Sequence, residues 1–387
     1  MADPLLFTPI QLPGVTLKNR VVVAPMHQYA AVKGFATDWH LMNAGRYAAG
    51  GAGMMMIEST KVERRGCGTV GDLGLWDDAH IPGIRRVVDF IRQHNCVPAI
   101  QLGHSGRKAR RFRPWEGGAP LLSPPPEVDD WEAWELVSAS AEQFPESEPR
   151  PRALSRDEIP AVVQHWADAA RRALEAGIEV LEIHGAHGYL IHQFLSPFSN
   201  RRNDDYGGSE LNRARFLIEI VEAIRAVWPQ DKPLFLRLSV EDQVGFGPEQ
   251  SVNVAKWVKP KGVDVIDCSS GGMHGSAVQT ARPSYGYQVP YAEKLRREAD
   301  IMTMAVGVIV HADQAEEILQ KGQADLIAIG RELLYNPNWP MDAAQKMGVD
   351  ASFASVPPPQ AFWLAKRAAQ LKTMVPSTYQ KGINAGA

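Results

Sequence analysis

Eight short apolar runs recur along the chain, separated by longer amphipathic segments, and this alternation restricts the fold more than any other feature. The runs are Val21–Ala24, Met54–Glu58, Val97–Leu102, Val180–His184, Leu234–Ser239, Val263–Ser269, Ile301–Val306 and Leu326–Ile329. Between them Ile81–His94, Ile159–Ala176, Leu211–Val227 and Ala312–Lys321 show helical periodicity, with Gly177 and Gly322 placed to stop two of the helices. Strand and helix alternating over this length predict an α/β protein, a single (β/α)8 barrel rather than two dinucleotide-binding halves. No GxGxxG follows an early strand. Ahead of the first run, Phe7–Leu12 and Val15–Lys18 flank Pro13-Gly14, which predicts a hairpin within residues 1–20 closing the barrel floor. The whole chain, 1–387, reads as one domain.

Composition narrows the partners. A formal net charge of −3 with 22% charged and 45% hydrophobic residues describes an ordinary globular chain, with nothing to attract nucleic acid or an acidic membrane. Met1 to Phe7 lacks the basic and apolar segments of a secretion signal, and no apolar run approaches the roughly 18 residues of a membrane span, so a cytoplasmic address is expected. Cys67, Cys96 and Cys268 are widely spaced and odd in number, which suits reduced thiols better than a disulfide framework.

In such a barrel chemistry sits where strands end. Here the first strand is followed by Pro25, Met26, His27, Gln28 and Tyr29, the second by Ser59 and Thr60, and the third by His104-Ser105-Gly106-Arg107-Lys108 just after Gln101. The fourth delivers His184, His187 and Tyr189, the fifth Arg237, the sixth Ser269-Ser270-Gly271-Gly272, the seventh Gly307 and the eighth Gly330-Arg331. Two neutral imidazoles can donate hydrogen bonds to an oxygen gaining negative charge, and a phenol with a reference pKa of ~10 keeps a proton to deliver. Histidines 184, 187 and 192 also suit a zinc site, as in a metal-dependent hydrolase, and Lys108 a Schiff-base aldolase. Gly307 and Gly330 permit close backbone approach where barrels of this kind hold phosphate, and Arg331 at a helix start needs an anion to offset the helix dipole. Arg237, among apolar strand neighbours, needs an anionic or strongly polar partner.

Longer motifs add a resemblance. Leu17-Lys18-Asn19-Arg20, Ala24-Pro25-Met26, Gln101 through Lys108, Glu182 through Leu190, Phe194-Leu195-Ser196-Pro197 through Tyr206-Gly207-Gly208, Asp267 through Gly271 and Ile329 through Leu333 follow one another in order over nearly the whole chain. The chain thereby resembles the old yellow enzyme family of FMN-dependent ene-reductases, most closely its bacterial branch of YqjM-like and xenobiotic reductases. The resemblance implies FMN at the strand ends, with Ala24, Pro25, Met26, His27, Ser59, Gln101 and Arg237 around the ring system and Gly307, Gly330 and Arg331 at the phosphate. It implies NADPH or NADH as reductant and an activated alkene, conjugated to a carbonyl or nitro group, as small-molecule substrate; family members also include demethylases and nitro-compound reductases. His184 and His187 would bind the activating oxygen, Tyr189 would protonate the α-carbon and Tyr29 would line the substrate pocket. Relatives often carry cysteine where this chain has His27, which bears on flavin potential and pH profile.

The long segment 109–154 after the third strand, rich in proline and tryptophan, is expected to form a lid over the cofactor. Arg110, Arg111 and Arg113 at its start read as a solvated face, or as a contact for the 2′-phosphate of NADPH. The C-terminal extension, 356–387, alternates apolar and basic residues; a homo-oligomer, dimer or tetramer, is expected, with Lys381 the counterpart of an arginine that in some relatives reaches a neighbouring active site.

Overall fold

The computed structural model describes residues 4–143, 148–273 and 284–374. Lys381 lies outside the described residues. A two-stranded antiparallel hairpin, β1 (Ile10–Leu12) and β2 (Val15–Leu17), turns at Pro13-Gly14 and precedes the barrel. The next strands are β3 (Val21–Val23), β4 (Met54–Lys61), β5 (Val97–Gly103), a short parallel pair β6 (Val137–Ser138) and β7 (Arg152–Ala153), then β8 (Val180–Gly185), β9 (Leu234–Ser239), β10 (Val265–Ser269), β11 (Met302–Ala305) and β12 (Leu326–Ile329). Eight of them, β3, β4, β5 and β8 to β12, pair in parallel and close into a barrel, β12 returning to β3.

Alternation of side chains along each strand builds two cores. Inward residues Val22, Met54, Ala99, Val180, Phe235, Val265, Met304 and Leu326 fill the barrel, and Leu12, Val15 and Leu17 of the hairpin join that cluster, so the hairpin plugs the end where strands begin. Outward residues such as Ile100, Leu181, Ile183, Leu236 and Ile266 pack against the helices. The helix Ile159–Glu175 shows why: Ile159, Val162, Val163, Trp166, Ala170 and Ala173 recur at spacings of three and four and form its buried stripe. It starts with Pro160 in its first turn and stops before Gly177, whose φ of +91° is costly for other residues.

One strand differs from the sequence reading in length. Strand β4 runs three residues beyond Glu58, to Lys61, through a register shift between Ile57 and Thr60, because Glu58, Ser59, Thr60 and Lys61 all find polar partners inside the protein. Residues 121–134 of the long segment share a small core with the loop after β4, with Trp134 buried against Cys67 and Leu121 and donating its indole N–H to the carbonyl of Cys67 at 2.8 Å. Among the described residues, no helix is long and apolar enough to cross a membrane.

Candidate active site

The inward face of β8 carries Val180, Glu182 and His184 in alternation, and the chain then turns sharply. His187 and Gly188 adopt φ of +58° and +70°. A side chain at position 188 would strike the carbonyl oxygen of Gly272, so glycine is required there. For His187 the left-handed conformation costs ~1–2 kcal/mol, and three contacts hold it. Its N–H donates to Ser239 Oγ (2.9 Å), its Nε2 bonds Ser269 Oγ (2.7 Å), and its carbonyl accepts from Lys108 Nζ (2.9 Å). The turn sets the imidazoles of His184 and His187 5.1 Å apart and nearly perpendicular, with the Tyr189 ring 4.8 Å from His184.

These groups keep defined protonation states. Burial, then His187 and Arg237, hold His184 well below the ordinary imidazole range; burial, then Arg237 and Lys108, do the same for His187. Both rings are therefore neutral donors near pH 7. His184 accepts the amide N–H of Ala186 at Nδ1, which leaves the proton on Nε2. Burial, reinforced by Tyr29 and Asp72, raises Tyr189, so its phenol keeps its proton.

Below lies a polar layer set by strand register: Gln101 pairs with Glu182, and Arg237 stands between His184 and Asp267. Gln101 donates to Glu182 (2.7 Å) and Arg237 Nη1 meets Asp267 at 2.9 Å. Burial raises both carboxyls against the pull of Arg237, so the layer retains a proton beside its single guanidinium. Arg237 Nε is buried without a hydrogen-bond partner among the described residues. A buried donor left open at a cleft suits a ring edge that gains negative charge.

On the opposite side Glu58 accepts from the amide of Gln28 (2.7 Å) and pairs with His40 (3.2 Å), fixing the loop after β3. His27 and Tyr29 stack at 5.3 Å on that loop, and Trp115 from the long segment meets Tyr29 edge-on at 5.5 Å. His27 Nε2 lies 3.5 Å from the Tyr189 hydroxyl. Burial, then the charge of Lys61, lower His27 to about 4 against the pull of Asp72, so this imidazole too is neutral at pH 7.

Pro25, His27, Tyr29, Gln101, His184, His187, Tyr189 and Arg237 converge on one cleft of about 840 Å³, walled further out by Arg107, Lys108, Arg111 and Glu148. That volume lies in the range of cofactor sites. Ala24, Met26, Ser59, Gly307, Gly330 and Arg331 are not among its lining residues. Ala24 and Met26 face a small apolar cavity beside Tyr47, and Ser59 is buried under Lys61. Gly307 (φ +117°) follows β11, and Gly330 caps the short helix Arg331–Tyr335, whose Arg331 is exposed. Burial raises the phenol of Tyr287, against the pull of Arg331 and then Arg237.

Other candidates are committed elsewhere. His192 accepts the Gly188 amide at Nδ1 and faces Asp242, and among the described residues no three His, Cys, Asp or Glu side chains converge as metal ligands. Lys108, lowered to about 7 by burial and then by Arg107 and Arg111, donates to the carbonyls of His187 and Gly272. Arg110 lies 3.4 Å over the Trp131 ring, Arg111 pairs with Glu148, and Arg113 pairs with Glu116, so the basic cluster is largely neutralised within its own segment. Sequence reasoning missed Lys61 and Asp72, a buried pair 3.4 Å apart at the cleft edge. The local signal was weak, since Lys61 follows the polar Glu58-Ser59-Thr60 rather than the apolar run itself.

Comparison with known proteins identifies the family. A family model described as "NADH:flavin oxidoreductase / NADH oxidase family" matches residues 5–349. An NADPH dehydrogenase of Geobacillus sp. (strain WCH70) is 43% identical over 354 residues, 90% of this chain and 96% of that protein. Among solved structures, morphinone reductase aligns with a TM-score of 0.73 at 27% identity, covering 89% of this chain and 90% of its own. The old yellow enzyme homologue from Zymomonas mobilis gives 0.73 at 27%, covering 89% and 93%. The chain belongs to the NADH:flavin oxidoreductase / NADH oxidase family, the old yellow enzymes, as an NAD(P)H-dependent flavin oxidoreductase similar to the bacterial NADPH dehydrogenases.

Proposed function

We propose that the protein binds FMN across the mouth of the barrel and reduces the C=C bond of α,β-unsaturated carbonyl or nitro compounds. Gln101, Arg237, Ser59 and the backbone from Ala24 to His27 would hold the ring system, and Gly307, Gly330 and Arg331 the phosphate. Support for the ring site comes from the open Arg237 Nε. Bound there and reduced by NADPH or NADH, FMN would supply the hydride for the C=C bond.

This chain's residues do the rest. His184 and His187, neutral and perpendicular, donate to the activating oxygen and stabilise the charge that gathers there, each such donor being worth ~3 kcal/mol. Ser239, Ser269 and Lys108 hold His187 in place for that task. Tyr189 gives its proton to the α-carbon. The single observation carrying the proposal is the Tyr189 ring set 4.8 Å from one of two mutually perpendicular neutral imidazoles.

Separating the half-reactions tests it. Tyr189→Phe should slow alkene reduction by the reduced protein on the order of 10²–10⁴-fold, the contribution of a positioned acid, while reduction by NADPH falls far less. Equal loss in both half-reactions would refute the acid assignment. A substrate panel read by recolouring of the reduced protein would separate alkene reduction from demethylation and nitro-group reduction.

The described residues of the segment 109–154 act as a lid in this reading, supported by Trp115 against Tyr29 and by Arg111 and Glu148 in the cleft wall. The protein works as a homo-oligomer, which the helix Pro358–Leu371 supports: none of its residues is buried, and Phe362 and Trp363 are 55% and 66% exposed. A fully active monomer in sizing experiments would reject this.

A further inference from the structure

One buried charge at the cleft has no part in the reading above. Lys61 ends β4 with its side chain fully buried. Its Nζ donates to Ser59 Oγ (3.2 Å), faces Asp72 Oδ2 (3.4 Å) and lies 5.1 Å from the centre of the Tyr189 ring. Asp72 is held independently, accepting from the amides of Gly68 (2.7 Å) and Thr69 (3.2 Å) and from the Thr69 hydroxyl (2.7 Å). Burial alone would raise Asp72, but Lys61 foremost holds it below the usual range, so it stays a carboxylate.

A buried pair of this kind is a weak source of stability, because desolvation takes back much of the attraction and an apolar pair often serves as well. What it does create is an oriented field. The ammonium end faces Tyr189 and reaches His27 and His184; the carboxylate end lies on the loop 68–72, which lines the cleft. A cation over the face of a phenol attracts the ring, and the attraction grows when the ring becomes a phenolate.

We propose that Lys61 is a positioning residue for proton delivery: its ammonium seats the Tyr189 ring and offsets the negative charge left when the phenol proton departs. The proposal rests on Tyr189 as the donor. In the step, the O–H bond of Tyr189 breaks as the C–H bond at the α-carbon forms, and the phenolate regains its proton from solvent entering the cleft. A second effect falls on His27, which is faced by Lys61, Asp72, Glu58, Tyr29, Tyr189 and His184. Without Lys61, Asp72 stands uncompensated beside it and favours its protonation.

The test uses the flavin-loaded protein with Lys61→Met, Lys61→Arg and the double variant Lys61→Met/Asp72→Asn. Oxidation of the reduced protein by 2-cyclohexenone is followed in a single turnover, and histidine 13C NMR, assigned with His27→Gln, follows the His27 titration. Lys61→Met should slow the turnover at least about tenfold and move the His27 titration up by about one pH unit. The double variant should return His27 to its original titration yet stay slow, and Lys61→Arg should recover most of the rate. A double variant as fast as the parent overturns the proposal, as does a Lys61→Met protein unchanged in both readouts. Should Lys61→Met fail to fold, the double variant, which leaves no unpaired carboxylate, and Lys61→Arg decide the matter. Tyr189→Phe in parallel separates the two claims: a fast Tyr189→Phe protein refutes the donor assignment, whereas a slow one beside a fast double variant refutes Lys61 alone.

Discussion

Replacing Gly188 with alanine isolates the turn that places His187 and Tyr189. The residue has φ of +70°, so a side chain costs ~1–2 kcal/mol from conformation alone. The added methyl also strikes the carbonyl oxygen of Gly272 and comes within 3.1 Å of Lys108 Cε and Nζ. That carbonyl accepts a hydrogen bond from Lys108, and a bond to a charged group is worth ~1.5–3 kcal/mol. The sum, ~2.5–5 kcal/mol if the bond is lost, exceeds what the bond from His187 to Ser269 supplies, so the turn shifts before the methyl fits. A displacement near 1 Å of reacting groups can cost ~10²-fold in rate. Gly208→Ala is the control: it has φ of +76° with nothing within 4 Å of its added methyl, so it carries the conformational strain without the collision. Phenol binding, read from the flavin absorbance, and single-turnover alkene reduction should both fall steeply in Gly188→Ala and hardly in Gly208→Ala. Matching behaviour of the two variants would refute the claim that the Gly272 contact sets the turn.

Other elements give separate outcomes. Arg237→Met leaves Asp267 and Glu182 without their cation, a loss of ~3–5 kcal/mol for a broken buried pair; FMN retention on ultrafiltration should drop and the flavin midpoint potential fall. Burial would raise Glu63, but the bonds from His104 and His165 and the charge of Arg65 hold it below the ordinary carboxylate range. Its folded pKa being depressed, it stabilises the fold above the unfolded value of ~4.3 and loses that effect as pH falls below it. The thermal midpoint of the parent should therefore exceed that of Glu63→Gln near neutrality, with the gap closing in acid. Trp134→Ala removes the centre of the small core under residues 109–154, a change of ~3–5 kcal/mol for a buried aromatic; limited proteolysis should cut that segment faster.

The barrel was legible because its strands obey one rule twice over: alternate residues face an inner and an outer apolar core, so runs such as Leu234–Ser239 stand out against amphipathic helices. The convergence of His184, His187 and Tyr189 on the cleft was legible for a related reason, since side chains at the ends of parallel barrel strands gather at one mouth. Lys61 escaped because it breaks this rule from inside. A strand normally stops where polar residues begin, but β4 continues through Glu58, Ser59, Thr60 and Lys61 since His40, Gln28, Leu73 and Asp72 come from other elements to satisfy them. Asp72 lies on a loop beyond the strand and His40 on the helix Asp38–Ala49, 18 residues before Glu58 by sequence number. Partners of that kind are fixed by closure of the barrel, not by local pattern. The juxtaposition that marks this cleft, Lys61 Nζ 5.1 Å from the centre of the Tyr189 ring, is therefore a property of tertiary contacts that no window along the chain contains.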